Sequence, residues 1–347
     1  MRKNFNVKVA QQQIDVLKTL DHPNVLKFYE AYKNNKRYYM VTELCTGGEL
    51  FDVILKRGKY FNEKEASKYI YQLMLAVNYI HQHKVIHRNI KPENILLEQN
   101  NKESDHQLVL KLIGFGSSIL QSEEKLQKAV GSSFYIAPEV IKGKYDYKCD
   151  IWSCGVIMYI LLSGQPPFYG TDDKEILRQV QSKPVDLASG PWKNISAEGK
   201  DLMERFLERD PEKRAEASEI LEHPWFSKFN TDIVSFDINP ESVQLFENIK
   251  QFSGRVKLQQ VMMQFIQIHL MSSKDQNQMR KIFQQMDKNF DGVLSKEEVV
   301  SGLQNMGYDN PVEEAERIFE VADLNQNGTL EFSEWCAATM NKEMVLT

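Results

Sequence analysis

Apolar residues recur along this chain in two periods, and the points where the period changes mark its elements. Ile14, Val16, Leu17 and Leu20 fall on one helical face over residues 9–21. His22-Pro23-Asn24 ends that face, because proline disfavours helical backbone in the residue before it. Residues 25–44 alternate and then run apolar (Leu26, Phe28, Tyr38, Tyr39, Met40, Val41), which predicts two strands joined by a turn at Asn34-Asn35. Glu63 to His83 returns to the helical period, with Ala66, Tyr69, Ile70, Leu73, Leu75, Ala76, Val77 and Ile80 on the buried side. Val109 to Ile113 is a short apolar strand. A polar connector over 230–240 precedes a second amphipathic helix from Glu241 to about Leu270, which carries Lys250, Arg255 and Lys257. A basic, methionine-bearing helix of that kind suits an apolar groove on a helical lobe, and it equally suits a plain helix linking two domains.

Composition narrows the setting without naming a function. The chain has 347 residues, room for two or three domains, with 42% hydrophobic and 26% charged residues. A net charge of −5 gives no case for a nucleic-acid surface. The four cysteines, at 45, 149, 154 and 336, show no C-x-x-C spacing and read as reduced thiols. No apolar run reaches the ~18 residues of a membrane span. The N-terminal residues lack a signal segment and a glycine at position 2. The expectation is a cytoplasmic protein with no membrane or nucleic-acid partner.

Two stretches near the C-terminus carry the most specific chemistry. Asp287, Asn289, Asp291, Gly292, Val293, Ser295 and Glu298 fit the loop pattern D-x-[DN]-x-[DN]-G-x₅-E, and Asp323, Asn325, Asn327, Gly328, Thr329, Glu331 and Glu334 fit it again. Each loop supplies side-chain oxygens at positions 1, 3 and 5, a backbone carbonyl at 7 (Val293, Thr329), a side chain at 9 (Ser295, Glu331) and a bidentate glutamate at 12. Glycine at position 6 permits the sharp turn. The loops start at 287 and 323, a spacing that allows one paired lobe in which Leu294 and Leu330 meet in a short strand contact. Three carboxylates stand at ligand positions of each loop, which permits calcium affinities of ~10⁻⁷–10⁻⁵ M. Two Ca²⁺ sites are expected.

Between these ends, His87-Arg88-Asn89-Ile90-Lys91-Pro92-Glu93-Asn94 followed by Ile95-Leu96-Leu97 resembles the catalytic loop of eukaryotic protein kinases, H-R-D-L-K-P-E-N-I-L-L. Gly114-Phe115-Gly116 resembles the D-F-G of that family, and Gly131 to Glu139 resembles the end of an activation segment with its A-P-E. Asp150-Ile151-Trp152-Ser153-Cys154-Gly155 resembles the start of the central helix, and Arg214 stands where the family's arginine pairs with the A-P-E glutamate, here Glu139. Gln13 in the string ending at His22-Pro23-Asn24 falls where the family's helix glutamate would pair with the strand-3 lysine.

What the resemblance implies is a fold with several chemical positions changed. Asn89 replaces the aspartate that accepts the substrate proton, and an amide is no base near neutral pH. Gly114 replaces the aspartate that holds Mg²⁺, and Gln13 has no charge for an ion pair. Lys91 and Asn94 are retained. Only 12 residues precede Gln13 and they hold no G-x-G-x-x-G, so the expectation is a truncated small lobe without its phosphate loop. The whole then resembles the calcium-dependent protein kinases, which run kinase domain, autoinhibitory junction, calmodulin-like domain. The 13 residues after Glu334 leave room here for one EF-hand pair where that family has two.

The expected organisation is an α+β kinase-like fold followed by an all-α EF-hand pair: a truncated small-lobe remnant over 1–45, a mostly helical kinase-like large lobe over 46–229, a junction over 230–278 and the EF-hand pair over 279–347. The expected function is a calcium-binding pseudokinase that docks protein partners. Mg²⁺·ATP is not an expected ligand, and the junction helix is expected to dock on the EF lobe. Two alternatives stay open: an active Ca²⁺-dependent Ser/Thr kinase with an incomplete N-terminus, and a structural, cytoskeleton-associated component.

Overall fold

The computed structural model describes residues 7–34, 37–98, 109–121, 126–127, 130–230, 244–245, 247–248 and 273–340. The chain divides into two compact units, one running essentially to Asn230 and the other from Thr231 onward.

In the first unit, helix α1 (Val7–Leu17) buries Ile14, Val16 and Leu17 as the periodicity predicts. It stops short of residue 21 because Thr19 turns its hydroxyl onto the Val16 carbonyl at 2.8 Å and the chain tightens into a turn. The antiparallel strands β1 (Phe28–Lys33) and β2 (Tyr38–Thr42) follow, with Ala31 opposite Met40 and Tyr32 opposite Tyr39. After α2 (Leu50–Arg57), helix α3 (Glu63–Gln82) begins with a capping box: the Asn62 side chain accepts from Glu65 N, and the Glu65 side chain accepts from Asn62 N. This satisfies two of the backbone donors that every helix start leaves open.

Behind α3 lies α5 (Lys148–Ser163), which follows the short α4 (Pro138–Ile141). Helix α5 is apolar all round, with Trp152, Val156, Ile157, Leu161 and Leu162 all fully buried; a helix of that composition belongs at the centre of a core. It ends at Gly164, whose φ of 76° a side chain would strain. Strands β4 (Ile95–Glu98) and β5 (Val109–Leu112) pair antiparallel, Ile95 opposite Leu112, and the two-residue strands β3 (Val85–Ile86) and β6 (Ile119–Leu120) pair beside them. All four residues of β5 are buried, Lys111 among them, and its ammonium is neutralised by Glu43 at 2.8 Å.

Helices α6 (Asp173–Ser182), α7 (Ala197–Phe206), α8 (Ala217–Leu221) and α9 (Pro224–Phe229) complete the unit. Arg214 lies between them and α5. Its guanidinium grips Glu139 at 2.5 and 2.9 Å and donates to the carbonyls of Glu208 and Lys148. It also covers the Trp152 ring at 5.2 Å. The pair read from the sequence forms as a bidentate, fully buried contact.

The second unit is built from α10 (Ser273–Met286), α11 (Lys296–Asn305), α12 (Pro311–Ala322) and α13 (Phe332–Thr339). Leu294 and Leu330 exchange N–H···O bonds of 2.9 Å in both directions, as predicted. Around them pack Phe283, Met286, Val299, Leu303, Ile318 and Trp335, with the indole N–H of Trp335 donating to the Met279 carbonyl. Most of the helix expected over Glu241–Leu270 lies outside the described residues. Of the few that are described, Leu245 is buried in this same core, Asn248 donates to the Thr339 carbonyl at 2.8 Å, and Glu247 accepts from Tyr308. Among the described residues no helix is long and apolar enough to cross a membrane.

Candidate functional site

The loop between β3 and β4 is held from below by one carboxylate. Asp150, on the first turn of α5, accepts from the backbone N–H groups of His87 and Arg88 at 2.8 Å each, and from His81 Nε2 at 3.0 Å. Burial alone would raise its carboxyl; the hydrogen bonds from His81 and from the His87 backbone N–H outweigh that and hold it below the usual carboxylate range. Arg88 is thereby fixed with a left-handed φ of 65°. His87 is buried and its imidazole is pushed down by that burial, so it stays neutral. Its Nε2 donates to the Ile113 carbonyl while Nδ1 accepts from Asn89 N, which fixes the tautomer. This clamp was only half legible in the sequence: Asp150 appeared as part of a motif, but nothing marked His81 as its partner.

On that frame stand the residues expected to have lost their chemistry. Asn89, where a base would sit, presents an amide. Asn94 Nδ2 donates to the Asn89 carbonyl at 2.8 Å, and the Asn94 carbonyl accepts from Ile113 N. Gly114 follows directly, at a φ of 87°, and a Cβ placed there would lie 2.6 Å from Asn94 Cγ. The Asn94 amide therefore fills the space that a longer residue at 114 would need. Lys91 faces Glu93 at 3.4 Å. Gln13, on α1, lies by the turn after Gly114: a Cβ on Gly116 would be 3.5 Å from its Oε1. The structure thus gathers Asn89, Asn94 and Gly114 at one point, with no carboxylate at 89 or 114 to hold a hard cation in the kinase manner.

The two acidic loops of the second unit repeat one geometry. Asp287 accepts from Asp291 N and Gly292 N, and Asp323 accepts from Asn327 N and Gly328 N at matching distances of 3.1 and 2.9 Å. Positive φ falls on positions 4 and 6 of each: Phe290 and Gly292, Gln326 and Gly328. Asn289 and Asn325 at position 3 accept from position 5 at 3.0 Å. Asp291 and Asn327 at position 5 accept from the N–H of Val293 and Thr329. At position 12, Glu298 and Glu334 cap the exiting helices with one oxygen and accept from Lys288 N and Leu324 N with the other. Ser295 and Glu331, at position 9, are the N-caps of those helices.

Among the described residues no three His, Cys, Asp or Glu side chains close on a common point; the loop oxygens are engaged with the loops' own N–H groups. Carboxylates nonetheless crowd the start of the first loop. Burial first, then the Asp291 and Glu298 carboxylates, push Asp287 up to about 8, and burial raises Glu334 as well. Oxygen donors only, acidic residues at the first and last positions of each loop and the pairing of the loops are the donor chemistry of Ca²⁺.

The family model described as a protein kinase domain matches residues 1–226. This chain belongs to the protein kinase family. A second model, for an EF-hand domain pair, matches residues 276–340, and that pair is the chain's Ca²⁺ site. Curated relatives span both parts. Calcium-dependent protein kinase 4 of Plasmodium falciparum is 38% identical over 349 residues, covering 97% of this chain and 65% of the relative. Calcium-dependent protein kinase 3 of Plasmodium berghei is 38% identical over 99% of this chain and 60% of the relative. Calcium-dependent protein kinase 5 of Plasmodium falciparum is 37% identical over 98% and 59%. The chain thus spans about three-fifths of the length of the relatives it matches.

Proposed function

We propose that this kinase-family protein is a calcium-responsive docking protein, whose EF-hand pair takes up Ca²⁺ and whose kinase body binds partners without transferring phosphate. The observation that carries this reading is the junction of Asn89, Asn94 and Gly114. Phosphoryl transfer depends on positioning and on neutralising charge, and here the base position is an amide, the metal position is a glycine, and the neighbouring Asn94 amide lies against it. The framework that supports a kinase body stands around that junction: the Asp150 clamp and the Glu139–Arg214 pair.

A second reading has its own support. The relatives are named calcium-dependent protein kinases, they align with nearly all of this chain, and Lys91 and Asn94 are in place. By name alone they favour an active Ca²⁺-dependent kinase. Phosphate transfer from labelled ATP with Mg²⁺ to a Ser/Thr peptide pool and to the protein itself, with and without Ca²⁺, separates the two. Under the docking reading, transfer stays at the level of the heat-denatured control and Mg²⁺·ATP does not raise the melting temperature. Calcium-stimulated transfer by the wild type establishes the kinase reading instead.

A further inference from the structure

The ribbon of β1 and β2 is a two-stranded sheet with open faces, and its two edges differ. Strand β2 reads Tyr38-Tyr39-Met40-Val41-Thr42, with no charge, proline or glycine. Tyr39, Met40 and Val41 are 47%, 42% and 42% exposed. Neighbouring strand residues point to opposite faces, so neither face of β2 is covered. A run of three exposed apolar residues is a defect in a surface unless it has a use. Among the described residues β1 is the one strand that pairs with β2, and a lone two-stranded ribbon is marginal in water. Natural sheets blunt open edges with charge, proline or a bulge. Strand β1 has a bulge between Phe28 and Glu30, and it carries Glu30 and Lys33. Strand β2 has no such feature.

The direction of the edge follows from its ends. The Arg37 carbonyl accepts from Asn34 N, and Glu43 N donates to the Lys27 carbonyl, both on the β1 side. Strand alternation then aims the N–H and C=O of Met40, and of the even-numbered positions beside it, away from β1. A second β2 running antiparallel about Met40 meets that pattern with its own. Met40 exchanges N–H···O bonds with its counterpart, and Tyr38 falls opposite Thr42. Tyr39 falls opposite Val41, an aromatic–β-branched pair made twice. Arg37, exposed before the strand, falls opposite Glu43. Glu43 already receives Lys111 Nζ and Lys27 N, and a carboxylate has lone pairs for a further donor. Centring the pair on Tyr39 sets Arg37 against Val41 and loses the match of charge. We propose that β2 joins the β2 of a second copy of this chain across a two-fold axis, merging two ribbons into one four-stranded antiparallel sheet. The occupant is a second copy because the strand is its own complement in side chains and in charge. Such a contact also closes on itself and leaves no β2 edge for a third chain. The inference goes beyond the docking reading and holds whether or not phosphate is transferred.

The test is sedimentation velocity on the full chain in EDTA, from about 1 to about 100 µM, the range of a small and weak interface. The wild type is expected to pass reversibly from monomer to dimer within it. Met40→Pro removes an outward N–H at a position where an edge strand tolerates proline, and Val41→Lys places on the edge the charge that natural sheets use to block pairing. Each is expected to weaken the dimer at least ~tenfold, as loss of a central strand contact should; circular dichroism and unchanged Ca²⁺ uptake verify that both fold. Cross-linking reads the register. Met40→Cys is expected to give a covalent dimer under mild oxidation, since facing residues of a hydrogen-bonded pair lie ~5.5 Å apart at Cα, within disulfide reach. The wild type is the control, because Cys45 lies far from its counterpart in this register. A wild type that stays monomeric throughout overturns the inference. So does a dimer that survives Met40→Pro or Val41→Lys, and so does a Met40→Cys dimer that fails to cross-link.

Discussion

Glu139 and Arg214 show what one buried charge pair contributes. Both are nearly or wholly out of water, and the arginine makes four hydrogen bonds in addition to covering Trp152. Glu139→Gln leaves an unpaired guanidinium in the core and is expected to cost ~3–5 kcal/mol. Urea unfolding of the kinase unit measures this, and the double change Glu139→Gln with Arg214→Met should cost less than the sum of its parts. That pair was legible because each partner sits in a recognisable motif. Asn89 and Gly114 stood out in the same way, since each departs from a recognisable motif by its identity alone. The contact of Asn94 with Gly114 was not legible, since it depends on a left-handed φ at 114 that no spacing reveals. Asp287 gives a second residue-scale expectation. Its carboxyl sits near 8 in the folded, calcium-free protein and near ~4 when unfolded. Between those values the folded state holds more protons, so the calcium-free EF pair should lose stability as pH rises through the window. Calcium takes the deprotonated form, so its affinity should rise with pH, by at most ~tenfold per unit, with proton release. Calorimetry at pH 6, 7 and 8 in buffers of different ionisation enthalpy reads both effects; a flat affinity would contradict the environment assigned to Asp287.

Elements were read from period, and this worked best where one face of a helix is buried. Helix α3 appeared in the sequence within a residue of its span, Glu63–Gln82, and its capping box makes the start sharp. Asn62→Ala should cost ~0.5–2 kcal/mol by thermal unfolding. Helix α5 has no such face, being buried on every side, so only its motif marked it. In the EF-hand pair the coupling between loops lies in the backbone exchange of Leu294 and Leu330, which the position-8 leucines foretold. A ligand lost from one loop should therefore be felt in the other. Glu334→Gln is expected to abolish tight binding at the second loop and to weaken the first within the ~5–150-fold typical of coupled sites. Glu298→Gln with Glu334→Gln should remove both sites, and calcium uptake surviving the double change would show that the ligands are wrongly assigned. The Asp150 clamp is the part of the candidate site that sequence could not give in full, since its partners come from α3, the catalytic loop and α5, which only the fold brings together.

For the whole molecule the open quantity is the free energy that links calcium in one unit to the state of the other. Each unit has its own core, so scanning calorimetry of the full chain should resolve two transitions. Calcium at 100 times its dissociation constant stabilises the unit that binds it by ~2.7 kcal/mol, and the EF-hand transition must move by about that amount with EDTA as the reference. The kinase transition decides the function. It holds none of the calcium ligands, so it moves only if the two units exchange free energy, and a responsive docking protein requires such an exchange, typically ~1–3 kcal/mol. A kinase transition that shifts with calcium in the wild type and not in the Glu298→Gln, Glu334→Gln variant would establish that link. A kinase transition indifferent to calcium would leave two modules on one chain, and calcium would then control nothing in the kinase unit.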